Sequence, residues 1–209
     1  MTHALIVFRH SKSDWSADYG GSDMDRPLAK RGRKAAKLAG RFLADSGEVP
    51  DAVICSPALR SRATLALACE ARDWELSMRE SDALYDDGVE GLIGEVRREP
   101  ESTRLLMVVG HEPACSATVS FLIGGGAVRM PTAALARIDL LVDEWAELGP
   151  GTGVLSWLVV PPGDRGIGHS HCLKRAGDTE RTRTSSFSRP RGTSGSPGRL
   201  EASLAYSFH

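Results

Sequence analysis

Close-spaced cysteines are missing from this chain. Its 209 residues hold four, Cys55, Cys69, Cys115 and Cys172, and no two have the near spacing of a zinc or redox motif. Three sit inside apolar segments, where a reduced cysteine packs as a small hydrophobe. A disulfide scaffold is therefore not expected, and a cytosolic, reducing compartment is. Long apolar runs are missing too: nothing approaches the roughly 20 residues that cross a bilayer. The opening apolar run is too short for a signal peptide, and no small-residue cleavage pattern follows it. A soluble, cytoplasmic protein is the expectation. Nor is one charge in excess. Lys and Arg number 26 against 27 Asp and Glu, so the whole chain lacks the footprint of a nucleic-acid binder.

That balance conceals an asymmetry. From Gly163 onward there are 8 basic and 4 acidic residues, a net of +4, which leaves the first 162 with 18 and 23, a net of −5. The stretch 163–209 is rich in Ser, Gly and Arg and has no sustained apolar period, so it cannot bury enough surface to offset its ordering entropy. It reads as a basic, disordered tail. Residues 1–162 are long enough for one domain with a sizeable core.

Within that domain, Ala4 to Phe8, Ala52 to Cys55 and Leu105 to Val109 are continuous apolar runs, as expected of strands buried on both faces. Between them lie helical periodicities. Ala35, Leu38, Ala39, Phe42 and Leu43 mark one, stopped at Ser46-Gly47. Leu59, Ala63, Leu65, Ala66 and Cys69 mark a second, with Pro57 in its first turn. Val89, Leu92, Ile93 and Val96 mark a third. A fourth, with Cys115, Val119, Leu122 and Ile123, ends at Gly124-Gly125-Gly126. Ala134 to Leu141 and Val154 to Val160 read as two last strands, joined by a turn around Gly149-Pro150-Gly151 and able to pair antiparallel. The alternation predicts a three-layer α/β/α sandwich with a mostly parallel central sheet and an antiparallel edge strand.

Basic residues follow the three buried runs. Arg9-His10 follows the first, Ser56-Pro57-Ala58-Leu59-Arg60 the second, and Gly110-His111-Glu112-Pro113 the third. If the runs are parallel, their carboxyl ends share one crevice, where open α/β sheets bind ligands. Two arginines and two histidines in one pocket suit phosphoryl transfer. That reaction asks for positive charge around the equatorial oxygens, and the arginine fork reaches two oxygens at once. A neutral histidine can attack phosphorus and form a phosphohistidine that water later opens. Arg9 and Arg60 beside His10 would disfavour its imidazolium and keep the lone pair available.

Five segments, in order, carry a resemblance. They are Leu5-Ile6-Val7-Phe8-Arg9-His10-Ser11-Lys12-Ser13-Asp14-Trp15, Asp25-Arg26-Pro27-Leu28-Ala29-Lys30-Arg31-Gly32, Ser56-Pro57-Ala58-Leu59-Arg60-Ser61-Arg62-Ala63-Thr64, Val109-Gly110-His111-Glu112-Pro113 and Pro131-Thr132-Ala133-Ala134-Leu135. Over residues 4 to 161 the chain resembles the histidine phosphatase superfamily, also called phosphoglycerate-mutase-like. Within it, the chain is most similar to the small SixA-type phosphohistidine phosphatases. The resemblance implies His10 as the phosphorylated nucleophile, Arg9 and Arg60 as phosphate clamps, and His111 as the second histidine, which steadies the transition state. Ser11 stands where Gly or Ala is common, and its hydroxyl is a candidate substrate contact. Neither metal nor organic cofactor is implied.

Larger members supply a carboxylate that protonates an ester's leaving oxygen. Asp14, Asp82, Asp86 and Asp87 are candidates here, but no motif assigns the role. That gap, and a short interval between Arg60 and His111 with little room for a cap, favour phosphohistidine on a protein as the substrate. One rival is a phosphatase or mutase for small phosphorylated metabolites. Another is a non-catalytic phosphate-binding module whose tail engages nucleic acid, although nucleic acid is not the expected partner. Other motifs weigh less. His111-Glu112 lacks the second histidine of a zinc protease, and Pro113 obstructs the helix. His169, His171 and Cys172 lie in the polar tail. Asp25-Arg26 is either an ion pair or a rim contact, Trp15 either flanks the pocket mouth or packs, with packing favoured, and Lys12 is expected to tune charge or face solvent. Arg62 points away from a clamp position.

Overall fold

The computed structural model describes residues 3–16, 19–74 and 76–161. The expected tail, 163–209, with His169, His171 and Cys172, lies outside the described residues. Strand β1 (Ala4–Arg9) is buried through Phe8 and leads by a long loop to helix α1 (Lys30–Asp45). Strand β2 (Ala52–Cys55), helix α2 (Leu59–Glu70) and strand β3 (Ser77–Glu80) follow. Two short helices, α3 (Ala83–Asp86) and α4 (Gly88–Val96), precede strand β4 (Leu105–Gly110). Helix α5 (Ala114–Leu122), strand β5 (Leu135–Leu140), a single 3-10 turn (Trp145–Glu147) and strand β6 (Gly153–Val159) complete the order.

The strands form one sheet in the order β3-β2-β4-β1-β5-β6. The first four of these run parallel, while β5 is antiparallel to both β1 and β6. The mixed α/β sandwich is thus as expected, but the reversed strand sits one in from the edge. Alternation along each strand divides the core. Leu5 and Val7 pack with Leu92, Ile93, Val96, Val119 and Leu122 of α4 and α5, whereas Ile6 and Phe8 pack with Ala39, Leu43, Leu65 and Ala68 of α1 and α2. Strand β3 escapes sequence reading because all four of its residues, Ser-Met-Arg-Glu, are exposed on an edge. It has no burial to leave a pattern. Helix α2 begins at Leu59, so Pro57 lies before it rather than in its first turn.

Two glycines let elements touch. A Cβ at Gly40 would sit 2.1 Å from the Ala68 carbonyl oxygen, so α1 and α2 meet backbone to backbone there. A Cβ at Gly32 would sit 2.1 Å from the Lys12 carbonyl oxygen. The loop after β1 is held at that point by Ala29 N–H donating to the same oxygen at 3.0 Å. Among the described residues no helix is long and apolar enough to cross a membrane.

Candidate active site

The carboxyl ends of β1, β4 and β2 are level, because Phe8 pairs with Val109 and Cys55 also pairs with Val109. The ladder bonds continue one residue beyond: His10 N–H donates to the Gly110 carbonyl at 2.9 Å and Ser56 N–H to that of Val109 at 2.9 Å. His10 and His111 therefore leave adjacent strands side by side, with ring centroids 4.9 Å apart. Arg9, His10, Arg60 and His111 all line one cavity of about 230 Å³, together with Lys12, Trp15, Arg26 and Glu112 among others. The crevice proposed from the sequence exists, and four of the five expected residues meet in it.

Both imidazoles are kept neutral. Burial pushes His10 down to about 3, helped by the neighbouring His111, Arg60 and Arg9 and opposed by its bond to Ser11. Burial likewise pushes His111 down to about 4, with Arg60 contributing next. The direction expected for His10 holds, but desolvation outranks the arginines as its cause. Nδ1 of His10 lies 2.7 Å from the Ser11 carbonyl oxygen. A carbonyl only accepts, so Nδ1 carries the proton and Nε2 the lone pair. His111 Nε2 lies 2.8 Å from the Ser56 hydroxyl, and Tyr85 meets the same ring edge to face at 5.3 Å.

The arginines are held by backbone and carboxylate. Arg9 Nη1 donates to the Met130 carbonyl at 2.7 Å, and Glu112 lies 3.9 Å away. Arg60 is almost fully buried and grips Asp23 twice, donating to its carbonyl at 2.6 Å and pairing with its carboxylate at 2.9 Å. Asp23 also pairs with Arg26 and accepts the Tyr85 hydroxyl at 2.8 Å. Burial alone would raise the Asp23 carboxyl, but bonds from Tyr85 and Arg26 and the charge of Arg60 outweigh it, and the group stays below its ordinary value. Arg9 Nε, Arg60 Nε and His111 Nδ1, on three cavity-lining residues, are buried without a partner, as is Ser11 Oγ away from the lining. Such groups are costly, and an acceptor entering the cavity would lower that cost.

The remaining expectations divide. Ser11 is fully buried and does not line the cavity; its N–H donates to Thr64 Oγ1 at 2.9 Å. Arg26 lines the cavity yet is buried, donating to Ser13 Oγ at 2.7 Å and pairing with Asp23 rather than Asp25. Trp15 does not pack inside: it is 69% exposed and stacks under Arg26 at 3.6 Å, bordering the cavity. Arg62 turns outward to Glu80. Asp14, Asp82, Asp86 and Asp87 do not line the cavity. Sequence reasoning missed Asp23 and Tyr85, which lie in loop and short-helix segments with no periodic signal. Ser56 was within a recognised segment, and its place after a buried strand was the available clue.

A level row of strand ends thus gathers two neutral histidines and two held arginines at one cavity of an α/β sandwich. The comparisons are specific. The model of the histidine phosphatase superfamily (branch 1) matches residues 5–86. An uncharacterised protein of Mycobacterium tuberculosis is 36% identical over 163 residues, covering 73% of this chain and 99% of the relative. The chain belongs to the histidine phosphatase superfamily. A solved structure from Nakamurella multipartitia, assigned as phosphohistidine phosphatase SixA, superposes with a TM-score of 0.68 at 28% identity, covering 78% of this chain and 98% of that one. Within the superfamily the chain falls in the SixA-type branch. A 2,3-bisphosphoglycerate-dependent phosphoglycerate mutase of Nocardioides is 34% identical over 94 residues, 40% of this chain and 38% of the mutase. Membership places the chain in the phosphatase and mutase class of enzymes.

Proposed function

We propose that the protein is a phosphohistidine phosphatase that works through a covalent intermediate on His10. The observation that carries this reading is the His10 Nδ1 bond to the Ser11 carbonyl, which leaves Nε2 unprotonated in a cavity bordered by three arginines. Nε2 attacks phosphorus, the bond to the leaving nitrogen breaks, and Arg9, Arg60 and His111 hold the equatorial oxygens. Water then attacks the phosphorus of phosphorylated His10, inorganic phosphate departs, and the neutral ring is restored.

The substrate follows from what could donate a proton. Expelling an alkoxide needs a protonated acid at the leaving oxygen. Asp23 is held ionised by three donors, and Glu112 faces Arg9 while accepting the Ser116 hydroxyl at 2.6 Å. Neither is placed as an acid. A phosphohistidine ring brings its own proton on its second nitrogen and leaves as neutral imidazole. The segment between α2 and β4 forms an edge strand and two short helices packed beside the sheet. Among the described residues it builds no cap, so a side chain displayed on a phosphorelay or phosphocarrier protein has access. The similarity to a phosphoglycerate mutase favours a second reading, a phosphatase for small phosphate esters.

The test is acid- and base-quench trapping with a phosphohistidine donor. A base-stable, acid-labile phosphate mapped to His10, and lost in His10→Ala, is expected. A phosphate on another residue, or full turnover by His10→Ala, refutes the mechanism; far faster turnover of a small ester refutes the substrate.

A further inference from the structure

A second cavity, of about 440 Å³, adjoins the one that holds His10, and Arg9, Lys12, Glu112 and Thr132 line both. Its far wall is the segment 128–131 ahead of β5. The Met130 carbonyl in that wall accepts the Arg9 guanidinium at 2.7 Å, so the wall is fastened to the residue beside the nucleophile. The volume lies within the roughly 300–1,000 Å³ of small-molecule sites. A phosphoryl group at His10 would leave it unused.

The charges in this side cavity are uneven. Among the described residues the side chains of Lys12 and Arg129 make no hydrogen bond or ion pair, and both residues line it. Its carboxylate, Glu112, is already engaged by Ser116 and faces Arg9. Two uncommitted cations and one satisfied anion attract a further negative group. Lys12 borders both cavities, so it also offsets repulsion between a phosphoryl group and a second anion close by.

We propose that the side cavity binds a second anionic group of the substrate, a carboxylate or phosphate near the phosphorylated atom, recognised by Lys12 and Arg129. The proposal rests on His10 as the phosphoryl acceptor. On a protein the group is an acidic residue flanking the phosphohistidine. On a small ester it is a carboxylate on the same skeleton.

Two substrate pairs test it: phosphohistidine peptides with Glu or Gln on both sides, and phosphoglycolate against ethyl phosphate. At least one pair shows kcat/KM about tenfold higher for the member with the second anion, carried by KM, as for one charge-assisted contact. Arg129→Gln collapses that ratio and Arg129→Lys keeps it. Selectivity in the peptide pair points to a protein substrate, and in the ester pair to a metabolite. Equal kcat/KM within both pairs, or a ratio that survives Arg129→Gln, overturns the proposal. His10→Ala is scored separately: retained turnover there overturns the reading of the catalytic site, whereas an unmoved ratio overturns the side cavity alone.

Discussion

Asp23 holds Arg60 by both its backbone and its side chain, with the carbonyl 2.6 Å from Nη1 and the carboxylate 2.9 Å from Nη2. The two residues are 37 positions apart in sequence. The pairing orients a buried guanidinium toward the cavity and spends only part of its five donors. Asp23 is on this geometry a positioning residue. Asp23→Ala is expected to weaken vanadate inhibition and raise KM about tenfold, with a smaller loss in kcat. Tighter vanadate binding in the variant would instead make Asp23 a competitor of the substrate's phosphate.

Arg60 itself should matter more. Arg60→Ala is expected to lower kcat/KM by about 10²–10³, the cost of losing one transition-state donor. Arg60→Lys should recover little, since a point charge cannot both grip Asp23 and meet an oxyanion. Steady-state kinetics on a phosphohistidine peptide decides it; near-normal rates for Arg60→Ala would remove this residue from the clamp.

The histidines set a pH dependence with a definite sign. Burial pushes His10 down to about 3 and His111 down to about 4 in the folded chain, against 6.5 for an unperturbed imidazole. The unfolded chain therefore binds more protons in that window, and stability is full above 6.5 and falls as pH drops toward 4. Urea melts at pH 7 and pH 5 should show this loss, and His10→Ala should reduce it. Ring-proton NMR of the free protein should find neither histidine titrating near 6.5. A His10 midpoint there would contradict its desolvation.

Packing between α1 and α2 can be probed far from the cavity. Gly40→Ala gains helix propensity of about 1 kcal/mol but drives a methyl into the Ala68 carbonyl, 2.1 Å from the added carbon. Overpacking against backbone costs about 1–3 kcal/mol, so net destabilisation is expected in denaturant melts. A stabilised variant would mean that the two helices part freely.

Much of this was legible in the chain. The strands ending at Arg9 and Gly110 announce themselves because both of their faces are buried, which leaves unbroken apolar runs. Helix α1 shows an apolar stripe because only one of its faces is buried. Strand β3 was silent, since an exposed edge demands no apolar residue. Of the two readings for Trp15, packing was favoured because a large aromatic ring is ordinarily core, but here it flanks the cavity, covered by a guanidinium.

The sequence by itself determined which side chains stand at the ends of buried strands, and with them the phosphoryl chemistry available, since both are matters of local order along the chain. Tertiary structure alone decided that β4 lies between β2 and β1, which sets His111 beside His10. It also decided that Asp23 joins Arg60 to Tyr85, and which imidazole nitrogen keeps its lone pair. Those outcomes depend on how crossover helices pack and on carbonyls met across space, quantities that no neighbouring residue encodes.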